Sequence, residues 1–257
     1  MTSIRRPAAA VLAAALLAVV TPASAQRGPA PVPTNLPFDV LGLACAPQAA
    51  FEAPPTPLRI TGGQDSFVRR NHAPGDLVTI NAGTVNGIEV GQEFFVRRVQ
   101  KTSLSPISRD NPAVVRTTGW IRVYAVDDEW SLATITHACD TITVDDYLEP
   151  FALPVVPQAS SDRGRPERDN YGRVMVGGDR RRVFGKGDYL IVNRGSEHGI
   201  TAGALFVFYR DKRQPENFLY ELGEATAVDV KPDTATLLVT LSRDMIQEGD
   251  YVAQRRP

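Results

Sequence analysis

The chain has 257 residues, with 28 Lys and Arg against 29 Asp and Glu, for a formal net charge of −1. That balance excludes the strongly basic surface by which nucleic-acid binders neutralise phosphate. Its two cysteines, Cys45 and Cys139, are too far apart to form a CxxC motif, and its three histidines are scattered, so a sequence-local metal or redox centre is excluded as well.

In chain order, Arg5 and Arg6 precede an apolar run from Ala8 to Val20, and Ala23-Ser24-Ala25 supplies an A-x-A cleavage pattern before Gln26. This is the layout of a secretory signal peptide over residues 1–25, cut after Ala25, and the run is too short to anchor as a membrane helix. The expected mature protein is exported, periplasmic or extracellular, and does not span a membrane.

Residues 26–57 are rich in Pro and Ala without periodicity and read as an extended arm with few packed contacts outside the region of Cys45. Leu41-Gly42-Leu43-Ala44-Cys45 has the outline of a lipid-attachment site, but the Pro-rich polar stretch before it cannot serve as an apolar signal core. In an oxidising compartment the better use of Cys45 is a disulfide to Cys139.

Beyond the arm, the same sequence is written twice. Gly75 to Arg98 and Gly187 to Arg210 share Gly75/Gly187, Asp76/Asp188, Asn81/Asn193, Gly83/Gly195, Gly87/Gly199, Ile88/Ile200, Gly91/Gly203, Phe94/Phe206 and Arg98/Arg210. Gly119 to Pro150 then falls beside Gly223 to Gln254, sharing Asp146/Asp250 and Tyr147/Tyr251 among others, and Arg59-Ile60-Thr61 is echoed by Arg173-Val174-Met175. The shared residues are turn formers and core anchors, so the duplication preserves architecture. The expected units are repeat one at 58–153, a polar Pro-bearing linker at 154–170, and repeat two at 171–257, each large enough for a small core.

The periodicity within each repeat is that of strands. Leu77 to Ile80 and Tyr189 to Val192 are short β-branched or apolar runs between turn residues. The face that is apolar in both copies, Phe94 and Val96 with Phe206 and Phe208, Ile121 and Val123 with Ala225 and Ala227, is the expected core face. Gly83, Gly87, Gly91 and their partners Gly195, Gly199, Gly203 are expected to shape turns, with Ile88 and Ile200 as inward plugs. Lys101 to Thr117 reads as a long loop inserted in the first copy, and Arg180, Arg181 and Arg182 as a solvated turn. Together these imply an all-β protein of two tandem small β-barrels, SH3-like or related.

Catalytic motifs are missing: no GxSxG, HExxH or phosphate-loop pattern occurs. Adjacent Ser196, Glu197 and His198 have triad residue types, but neighbours on one turn cannot face one another as a triad does. Asp127, Asp128 and Glu129 are acidic, but the matching turn in repeat two lacks the acids and no EF-hand spacing exists. No cofactor and no resident metal are expected. Trp120 and Trp130 align with Glu224 and Thr234, and with Phe95 and Arg97 they form a candidate exposed binding surface on repeat one.

The pattern GDxVxINxGxxxGIxxGxxFxVxR resembles a class of bacterial envelope β-modules, similar to the C-terminal domain of the FlgT flagellar-ring family and to β-rich parts of LysM-containing envelope proteins. The resemblance covers the start of each repeat and implies a small SH3-like barrel used in assembly or cell-wall contact. The function expected is that of a non-enzymatic envelope scaffold binding a protein partner; the alternative is binding to peptidoglycan or another envelope glycan through the aromatic patch.

Overall fold

Strands form where β-branched and aromatic residues run between Gly, Asp and Asn turns, and among the described residues strands are the main regular structure. The computed structural model describes residues 36–50, 58–65, 69–100, 113–167, 169–177, 181–211 and 218–256. The segment expected to be a signal peptide, the first part of the arm, Arg180 and most of the Lys101 to Thr117 insertion fall outside those residues; Ala113 to Thr117 belongs to a strand, not to the expected loop.

Repeat one contains β2 (Ile60–Gly63), β3 (Asn71–His72), β4 (Leu77–Ile80), β5 (Glu93–Gln100), β6 (Ala113–Val126), β7 (Ser131–Ala138), β8 (Ile142–Thr143) and β9 (Tyr147–Pro150). Its main sheet runs β2-β4-β7-β6-β5-β9, antiparallel throughout, with β3 and β8 as a separate pair. The sheet is open between β2 and β9. That gap is spanned by a single Arg59–Tyr147 bridge, with Ile60 N–H donating to the Asp146 carbonyl and Leu148 N–H to that of Leu58, each at 2.9 Å.

Repeat two contains β11 (Gly172–Gly177), β12 (Val183–Phe184), β13 (Tyr189–Val192), β14 (Leu205–Asp211), β15 (Leu219–Val230), β16 (Ala235–Ser242), β17 (Ile246–Gln247) and β18 (Tyr251–Arg256). Here β18 pairs with both β11 and β14, so six strands close into a β-barrel in the order β11-β13-β16-β15-β14-β18. Within the linker, β10 (Arg165–Pro166) adds to β18.

The two copies share irregularities as well as strands. Register shifts fall between Ile60 and Gly62, Val96 and Arg97, Trp120 and Ile121, and Val123 and Ala125. They recur between Val174 and Val176, Phe208 and Tyr209, Glu224 and Ala225, and Ala227 and Asp229. Bulges bend strands and sharpen twist, which a small sheet needs in order to curl round a core. The expected core faces hold: Phe94, Val96, Ile121, Val123 and Ile88 pack in one cluster, and Phe206, Phe208, Ala225, Ala227 and Ile200 in the other.

The arm differs from the extended, sparsely packed segment that its composition suggests. Pro37 leads into a short helix, α1 (Phe38–Ala44), and Gln48–Ala50 forms β1, antiparallel to the start of β6 with Ala49 opposite Val114. Leu43 and Ala46 pack on Val228, Tyr189 and Leu238 of repeat two, while Ala44 and Leu41 pack on repeat one. The arm is therefore a wedge between the repeats. No helix among the described residues is long and apolar enough to cross a membrane.

Candidate functional site

The four residues expected to form an exposed aromatic patch are not together on the surface. Phe95 and Trp120 are both 4% exposed, in a cluster with Leu36, Leu41 and Ala44 of the arm, the two cysteines and Phe151. Phe151 lies 4.4 Å from the Phe95 ring and His137 stacks on Trp120 at 4.2 Å, between ring centroids. Arg97 is buried too, its guanidinium 4.9 Å above Phe95 and its Nε 2.8 Å from a Glu149 carboxylate oxygen. The reason is covalent: Cys45 and Cys139 form the expected disulfide, which fastens α1 over this side of repeat one. Only Trp130 is exposed, at 48%, beyond the β6–β7 turn.

The shaping residues do what their spacing implies. Gly87 and Gly199 have φ of 77° and 76°, and Gly91 and Gly203 have 85° and 86°, all in the left-handed region that side chains disfavour. Gly83 and Gly195 are required for a different reason: a Cβ there would sit 2.2 Å from the Asp127 carbonyl oxygen and 2.1 Å from that of Lys231. Each follows a strand and opens a one-turn 3-10 helix, at Thr84–Asn86 and Ser196–His198, pressed against the β-hairpin turn. His198 is spent in this turn, its Nδ1 accepting from Gly195 N–H at 3.4 Å as Asn86 Oδ1 accepts from Gly83 N–H at 3.3 Å.

One cluster brings metal-ligand types together. Potential ligand atoms of Cys45, His137 and Cys139 lie within 4.8 Å of one another. The sulfurs are bonded to each other, so neither is a thiolate able to coordinate an ion. Burial lowers the His137 pKa, which keeps the imidazole neutral against Trp120.

The informative feature is uneven coverage of one face. On the outer side of β11, β13 and β16, Met175, Val176 and Ile191 are buried against Val114 and Ala49, which belong to β6 and β1. Val228, on the neighbouring β15, is 9% exposed under Leu43 and Ala46; Thr234 is 2% exposed, and Thr236 donates its hydroxyl to the Pro47 carbonyl at 2.9 Å. Repeat one and its arm thus cover this face of repeat two.

The matching face of repeat one, on β2, β4 and β7, bears Thr61, Gly62 and Thr79 where repeat two has Met175, Val176 and Ile191. In place of Val228 and Thr234 it carries Tyr124 at 66% and Trp130 at 48% exposure. A groove of about 550 Å³ lies here, bordered by Thr61, Gly62, Thr79, Trp130, Leu132 and the basic residues Arg69 and Arg70. Trp130 is visible as a candidate from its alignment with a polar residue. Tyr124 was missed, although its alignment with an aliphatic valine was the signal available.

A second, smaller cavity of about 260 Å³ lies where the repeats meet, between Cys45, Arg116 and Thr117 on one side and Arg181, Asp188 and Tyr189 on the other. Its charged groups are internally matched, Arg116 to Asp140 at 3.1 Å and Arg181 to Asp188 at 3.0 Å. Burial, and secondarily the charge of Asp39, raises the Tyr189 pKa. The geometry suits a joint between repeats more than a reaction centre. No protein-family model matches the chain, and no curated protein matches it.

Proposed function

We propose that the chain is an exported, non-enzymatic assembly module of a bacterial envelope, with two SH3-like barrels, that works by docking a protein partner on the open face of repeat one. The observation that carries the docking is the contrast between Tyr124 and Trp130, both exposed, and Val228 and Thr234, both buried at the same places in the duplicate. Aromatic residues of this kind anchor protein interfaces because a large apolar area is removed from water at small conformational cost. Of the two basic residues on the rim, Arg69 is already paired with Asp76 at 2.8 Å, so the aromatic contrast and not charge carries the docking.

Supporting the barrel reading of repeat one is the Arg59–Tyr147 bridge, which lies where Arg173 and Tyr251 pair in the closed barrel of repeat two. Export is supported by the basic-apolar-AxA pattern of residues 1–25 and by the disulfide, a bond that persists in oxidising compartments.

The test is a photo-crosslinking amino acid placed at Tyr124 or Trp130 in intact cells, with Val155, an exposed linker residue, as control. A discrete protein adduct at the two aromatic positions and none at the control is the expected result. Labelling no different from the control would remove the protein-docking reading.

Glycan binding keeps one supporting observation, since Tyr124 and Trp130 present exposed rings able to stack on sugars; Trp120, buried under the arm, does not. Cosedimentation with peptidoglycan sacculi across a salt series addresses it. Saturable, salt-resistant pelleting abolished by Trp130→Ala would favour the glycan over the protein.

A further inference from the structure

The covered face of repeat two identifies what an occupant of the open face looks like. The cluster of Met175, Val176 and Ile191 is entered by Val114, at the start of β6, with Ala49 of the arm strand β1 beside it. Its position in repeat two is fixed by strand register. Val114 lies opposite Gln100 and Arg116 opposite Arg98, while Tyr220 lies opposite Arg210 and Leu219 opposite Asp211. Because Arg98 and Arg210 are equivalent, Val115 corresponds to Leu219 and Val114 to Phe218.

Phe218 is 56% exposed and stands beside Tyr220, ring centroids 4.8 Å apart and nearly perpendicular. The chain therefore has a buried joint in its middle, made by the β6 end of repeat one, with β1 and α1 of the arm beside it, on the β11/β13/β16 face of repeat two. At its two extremities it exposes the counterparts of the β6 end and of that face: the Phe218 end on repeat two and the Trp130 face on repeat one. The substitutions between the halves are complementary in size. Where the internal joint sets a valine end against Met175, Val176 and Ile191, the outer halves set a phenylalanine end against Thr61, Gly62 and Thr79, smaller residues that leave a groove.

The charged residues around the two joints also correspond. Thr117, at the internal joint opposite Arg181, corresponds to Glu221, and Arg181 corresponds to Arg69. Superposing the outer halves on the internal joint thus brings the Glu221–Arg243 ion pair toward the rim, where Arg69 is paired with Asp76, so shape and not charge carries the match.

We infer that the partner of the open face is a second copy of this chain, docked head to tail with its Phe218 end in the groove beside Trp130. This rests on the protein-docking reading above and names its occupant. Such a joint is heterologous: one copy offers the end and the other the face, so association either propagates as a chain or closes as a ring.

The experiment is sedimentation velocity of the mature, oxidised chain over a concentration series, with Phe218→Glu and Trp130→Glu as variants. The wild type is expected to form dimers and larger species as concentration rises. Each variant alone should stay monomeric, since each has lost one half of the joint. An equimolar mixture of the two should form a dimer and stop there, because Trp130→Glu retains a working end and Phe218→Glu a working face. Dimer in the mixture also shows that both variants are folded, and a matching far-ultraviolet dichroism spectrum checks this independently.

A monomeric wild type throughout, variants that assemble like the wild type, or a mixture that does not associate would each overturn self-docking. The first of these together with a foreign adduct at Trp130 in cells would leave the docking reading intact and replace its occupant. Pelleting on sacculi that depends on Trp130, from a monomeric protein, would replace both.

Discussion

Arg98 holds Asp146 with both arms of its guanidinium, Nε to Oδ1 at 2.7 Å and Nη2 to Oδ2 at 2.8 Å, and Arg210 holds Asp250 in the same way at 2.8 and 2.7 Å. Each arginine also donates to a backbone carbonyl in the turn before the aspartate, that of Thr141 or Met245, and each aspartate accepts a backbone N–H from Thr143 or Gln247. The pair thus ties β5 to the β8–β9 turn, and β14 to the β17–β18 turn, at the seam where the first and last strands of each repeat come together. The hydrogen bonds to the aspartates raise both arginine pKa values against the opposing effect of burial. Asp146→Asn, which keeps the shape and removes the charge, is expected to cost about 2 to 4 kcal/mol, because the aspartate is buried and the arginine only partly so. Urea unfolding measures it; a loss below roughly 0.5 kcal/mol would reduce the pair to an ordinary surface bridge.

The glycines separate two kinds of requirement by the size of their effect. Gly87→Ala places a methyl in open space at φ 77°, so its cost should be that of the left-handed backbone alone, about 1 to 2 kcal/mol. Gly83→Ala drives a Cβ into the Asp127 carbonyl and has nowhere to relax without moving the β6–β7 turn, so it should cost more than Gly87→Ala. Thermal midpoints of the two variants give the order, and equal effects would mean that the 3-10 turn does not need its close approach to the hairpin.

Asp145 sits at φ 73° where the second copy has Gly249 at φ 88°. Its side chain is exposed, so Asp145→Gly relieves left-handed strain at the price of a looser unfolded chain. The net expectation is a gain of about 0.5 kcal/mol in unfolding free energy, and any loss beyond experimental error would show that the aspartate does more in the turn than strain it.

How much of this was legible in the sequence depends on whether local pattern or tertiary contact decides the residue. Strand faces were readable because alternation fixes which side of a strand is apolar, and comparing Phe94 with Phe206 removed the ambiguity that one copy alone leaves. The paired cysteines were readable because there were only two. The exposure of Trp120 was not readable, because it turns on what covers the outer face of β6. The cover is α1, seven residues of a Pro-rich arm with no visible periodicity, held there by the disulfide and by packing on Phe95. The open face was hidden for the same reason: Trp130 could be seen to be odd, but only the joint between the repeats shows that Val228 and Thr234 are buried. The buried Arg97 was misplaced because its ion pair with Glu149 comes from a different strand.

The disulfide should therefore control Trp120 as well as stability. Reduction frees a closed loop spanning 94 positions and is expected to cost about 4 kcal/mol in the chain-entropy account. With the tether gone, α1 can lift from Phe95 and Trp120, so a red shift of the tryptophan emission should accompany reduction under native conditions and be greater in Trp130→Phe, where Trp120 alone reports. An unchanged spectrum in the reduced, folded protein would show that packing holds the arm without the bond.

The acid side of the stability profile should be set in part by His72. This side chain is 3% exposed and lies against Gly63, where an added Cβ would be 2.6 Å from its Cε1. Burial lowers its pKa from 6.5, with Asp76 opposing the shift and Arg69 adding to it. In the unfolded chain it titrates near its ordinary value of about 6.5, so just below that pH the unfolded state binds the proton and the folded state does not. The contribution is thus fully present above the unfolded pKa and is lost as pH falls through the lower folded value; His137, also lowered by burial, has the same sign. Repeat two meets the same requirement without a titrating group, since Phe184 occupies this position against Gly177. His72→Phe is therefore expected to flatten the fall in unfolding midpoint between neutral pH and the carboxylate range, leaving the part due to His137. Midpoints measured by chemical denaturation across that range decide the matter: a variant with the same pH slope as the wild type would mean that His72 takes up its proton without leaving the core.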